Sequence, residues 1–153
     1  MISAAILKKE LEKFFDDKSP NFISAPQNLL DAANKWANAF DIYAKGVTPP
    51  STSSNAAKLA FIGVFVTSIV PGSGLIIIPQ AFQAYTVALA LGMAPTFIAT
   101  PPIIPPPIQP AFAIGMAGGP ASAILQAMVT IIDIWFRTGI AVNALSGTST
   151  IWS

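Results

Sequence analysis

Apolar and polar positions alternate with helical period through the first third of the chain. Leu7, Leu11, Phe14 and Phe15 follow i, i+4, i+7, i+8 spacing with lysine and glutamate on the other face, which predicts an amphipathic helix over residues 2–18. Ser19-Pro20-Asn21 breaks it. A second stripe, Leu29, Ala33, Trp36, Phe40 and Tyr43, predicts a helix over 26–44. Ser24 is its expected cap, Pro26 suits its first turn, and Gly46 stands where a left-handed C-terminal cap belongs. The two make a helical hairpin.

Beyond residue 46 the pattern loses its polar face. Residues 47–55 read as a loop, and a third helix is expected over 56–70, ended by Pro71-Gly72-Ser73-Gly74. Leu75-Ile76-Ile77-Ile78 is a β-branched run suited to extended backbone, and Pro79 then opens a fourth helix over 80–93. Eight of the fourteen prolines fall in residues 94–120. Proline lacks the amide donor and clashes with the preceding turn, so Pro101 to Pro107 is expected to be extended. Ile103, Ile104, Ile108 and Phe112 make that stretch apolar, and a long apolar loop of this kind needs a surface to cover. A fifth helix over 121–144 is apolar almost all round, and residues 145–153 form a small-residue tail carrying Ile151 and Trp152. No internal repeat stands out.

These elements predict a mostly α-helical single domain over 1–153, a small bundle of four to five helices. Its parts are a charged amphipathic hairpin (1–46), apolar helices (47–94), a proline-rich extended segment (95–120), a buried helix (121–144) and a C-terminal arm (145–153).

Charge changes the picture most. Thirteen of the fifteen charged residues lie in the first 58 positions, and none occurs from Leu59 to Ile132. A solvated surface carries mixed charge, so this stretch must be hidden in a core, in a bilayer or against other protein. The net charge is +1, and Lys8-Lys9 is the only basic doublet, which excludes the dense basic face that nucleic acid requires. Lys8, Lys9, Glu10, Glu12 and Lys13 fall where a signal peptide would need an apolar run, so none is expected.

Candidate chemistry is sparse. There is no cysteine and no histidine, which removes thiolate chemistry, the commonest general base and the commonest metal ligand. Pro71-Gly72-Ser73-Gly74 lacks the lysine of a phosphate loop, and Ser73 has no base near it in sequence. Asp16, Asp17, Asp31 and Asp41 are expected on solvated faces or helix ends, and no metal-ligand spacing is present. Asp133 and Arg137 stand four apart; a buried polar anchor or relay and a simple i, i+4 pair at the rim of a core helix are both open, with the spacing favouring the second. Neither catalysis nor a cofactor is expected.

A bilayer is a weaker fit than other protein, because Pro and Gly interrupt every candidate span of about 20 residues and no lysine or arginine bias flanks them. A proline-rich apolar segment and an aromatic-tipped tail have little conformational entropy to lose on docking. The run Leu29-Leu30-Asp31-Ala32-Ala33-Asn34-Lys35-Trp36-Ala37-Asn38-Ala39-Phe40-Asp41-Ile42-Tyr43-Ala44, a Thr-Pro-Pro loop and the alanine-rich apolar helices that follow resemble short virion proteins of contractile-tailed bacteriophages and related injection machines. That resemblance spans most of the chain as an order of segments. It implies a non-enzymatic structural component of a tail, baseplate, neck or capsid, assembled in the host cytoplasm. Its partners would be other virion proteins and copies of itself.

The expected partner-binding residues are Ile103, Ile104, Ile108 and Phe112 of the proline-rich segment and Ile151 and Trp152 of the arm. The arm is expected to be dispensable for folding. The other class open to the chain is a small holin-like membrane protein; a third, weaker reading makes the proline-rich segment a ligand for an aromatic groove.

Overall fold

A computed structural model describes residues 2–70 and 72–153. Among them the elements run α1 (Ala4–Phe15), α2 (Leu29–Ala44), α3 (Ser54–Phe65), α4 (Gly74–Leu91), β1 (Phe97–Thr100), α5 (Gln109–Met116), α6 (Ala121–Phe136), β2 (Ile140–Asn143) and β3 (Ser149–Ile151). The protein is mostly α, as its periodicity implies, with a small antiparallel sheet in the order β1-β2-β3.

The stripe of α2 builds the core. Phe40 meets Tyr43, Phe82, Tyr85 and Phe136 with ring centroids 4.8–5.7 Å apart, mostly edge to face. Trp36 sits between Phe14 and Phe15 of α1 and Phe82 of α4. Such pairs add to area burial because the positive ring edge meets the negative face. Leu7 and Leu11 of α1 and Leu125, Met128 and Ile132 of α6 are fully buried in the same core.

Helix ends depart from expectation for local reasons. The cap of α2 is Asn28, whose Oδ1 accepts from the Asp31 amide at 2.9 Å; Ser24 instead accepts from Lys35 Nζ through its carbonyl at 3.0 Å. Gly46 does not adopt a left-handed cap, since α2 closes through Lys45 in right-handed geometry. α3 stops at Phe65 rather than 70, where Thr67 and Ser68 turn their hydroxyls back onto the carbonyls of Val64 and Phe65. The run 75–78 is helical, not extended, and α4 continues through Pro79. The carbonyl that Pro79 cannot serve is that of Leu75, and Gln109 Nε2 lies 3.5 Å from it.

The last third changes character most. The proline-rich segment is interrupted by β1 and by α5, which carries Pro110 in its first turn, where a missing amide costs nothing. The helix expected to reach 144 ends at Phe136, and Ile140–Asn143 pairs with β1 on one side and β3 on the other. The expected arm is therefore a sheet strand. Asn143 Oδ1 accepts the amides of Leu145 and Ser146 at 2.9 Å, and Gly147 takes φ +68°, which together reverse the chain into β3.

Candidate functional site

The sheet has one covered and one open face. In register, Ile98 stands opposite Val142, Thr100 opposite Ile140, and Ile140 opposite Ile151. These side chains, with Ser149, point away from the core, because Ala141 on the other face is fully buried and Phe97 and Ala99 pack against the core. Ile98, Ile140 and Ile151 are all exposed, and no charged residue occurs in any of the three strands.

The sheet edges are flanked by proline and, at one end, by a neighbouring backbone. Ser153, just past β3, exchanges backbone hydrogen bonds with Thr48 (2.8 and 3.4 Å), and Pro49-Pro50 have no amide to continue that pairing along the strand. β1 runs into Pro101-Pro102. The prolines beside both edges disfavour strand addition there.

A second apolar area lies beside α6. Ile104, Pro107, Ile131, Ile134, Trp135 and Thr138 line a shallow groove of about 310 Å³. Trp135 Nε1 donates to the Ile104 carbonyl at 2.5 Å and Gln83 Nε2 to the Ile103 carbonyl at 2.7 Å, fixing the proline-rich segment against α6 and α4 with both isoleucine side chains turned outward.

The expected partner-binding residues separate into two groups. Ile103, Ile104 and Ile151 are exposed. Ile108 and Trp152 are corrections: both are fully buried within their own chain. Ile108 enters the core where the prolines end and α5 begins, and Phe112 is half-buried against that core. Trp152 packs on Phe136 at 5.1 Å and over Gly139, where a Cβ would overlap its ring. Ile98, Ile134 and Ile140 are also exposed and were not among the expected residues. For Ile140 the signal was the alternation of β-branched residues around Asn143 and Gly147.

Asp16 and Asp41, expected to be solvated, are buried, while Asp133 makes the expected i, i+4 pair with Arg137. Asp41 is only 2% exposed, not solvated. It accepts from Ser54 Oγ of α3 and from Tyr85 OH of α4 at 2.9 Å, and pairs with Lys45 Nζ at 3.0 Å. Burial pushes its carboxyl up, but the hydrogen bonds from Ser54, Lys45 and Tyr85 and the Lys45 charge outweigh burial and hold it below the ordinary aspartate value. Asp133 pairs with Arg137 at 2.9 Å and also accepts from Tyr43 OH at 2.7 Å, tying α6 to α2. Burial, then the Asp133 hydrogen bond, push the Tyr43 phenol up. Each network joins helices, with every hydroxyl spent on a partner within the fold.

No family model, curated protein or solved structure matches the chain.

Proposed function

We propose that the chain is a non-enzymatic structural subunit that works through protein–protein contacts, with copies of itself and with other structural proteins of one particle. The observation that carries this reading is the pair of exposed isoleucine areas, the uncharged outer sheet face and the Ile103–Ile104 segment. Such a surface meets a second copy without like-charge repulsion and without desolvating ions. The resemblance of the α2 region and the segments after it to short virion proteins of contractile-tailed phages supports a place in a tail, baseplate, neck or capsid. The test is co-assembly: a chain carrying Ile103→Asp and Ile104→Asp, folded by circular dichroism, is expected to be excluded from particles that incorporate the unaltered chain. Normal incorporation of that variant would overturn the proposal.

A small holin-like membrane protein is the second reading. What favours it is α4, which at 18 residues is long and apolar enough to cross a membrane. Against it stands the engagement of that helix in the core through Phe82, Tyr85 and Leu89.

A further inference from the structure

We draw no further inference here: the strongest candidate, the cleft of about 700 Å³ lined by Glu12, Asp16 and Asp17 at the end of α1 and by Ala121 and Ser122 at the start of α6, rests on an acidic cluster and a helix N-terminus, and no second observation points to a ligand there.

Discussion

Trp36 is nearly buried between Phe14 and Phe15 on one side and Phe82 on the other, each contact edge to face. Trp36→Ala empties that junction of α1, α2 and α4 and is expected to lower unfolding free energy by about 3–5 kcal/mol, read from urea denaturation. Asp41 makes a different kind of junction. Asp41→Ala leaves the Tyr85 and Ser54 hydroxyls without their acceptor and is expected to cost about 3 kcal/mol. Its folded pKa lies below the ordinary value of 3.8, so its stabilisation is complete above that value and is lost as pH falls below it. Unfolding curves from pH 6 to pH 3 are expected to show this loss in the unaltered chain, and Asp41→Asn is expected to remove that part of the acid dependence. Trp36 was legible in sequence because five apolar residues keep one helical spacing. Asp41 was not: its spacing put it on a polar face, and the two hydroxyls that make its burial tolerable come from 13 and 44 residues away.

At the level of elements, α1 and α2 follow from periodicity, α3 and the later part of α4 from the Pro and Gly positions around them, and their ends are decided by short-range competition that a stripe does not encode. Asn28 takes the cap from Ser24, and Thr67 and Ser68 end α3 early. The sheet was hidden for another reason. Ile140–Asn143 resumes the apolar character of α6 after Arg137-Thr138-Gly139, and the pairing with Phe97–Thr100 makes it a strand. The same pairing turns the tail from an arm into a part of the fold, with Trp152 sealing the space over Gly139. Deleting Ile151–Ser153 is therefore expected to destabilise the chain by about 3–5 kcal/mol, the cost of removing a large buried aromatic residue. Gly139→Ala, which pushes a methyl into the Trp152 ring, is expected to cost about 1–3 kcal/mol by thermal or urea unfolding. Full stability in the truncated chain would mean that Trp152 lies outside the core.

Across the whole molecule, charge is partitioned by position in the chain. The amphipathic hairpin of α1 and α2 carries most of the ionised groups, while Ile98, Ile103, Ile104, Ile134, Ile140 and Ile151 lie open in the uncharged remainder. The need for cover over that remainder was legible from the sequence, because 74 residues without a charge is a compositional fact. Its location was not, because it depends on strand register: moving β3 by one residue would turn Ile151 inward. Stacking of sheet faces is the geometry that the proposed self-association would use. The most direct measurement is the solution mass of the purified chain by light scattering across a concentration series. The account predicts a mass several-fold above that of one 153-residue chain, falling to a single chain in the Ile98→Asp/Ile151→Asp variant. A single-chain mass for the unaltered protein at every concentration would contradict it.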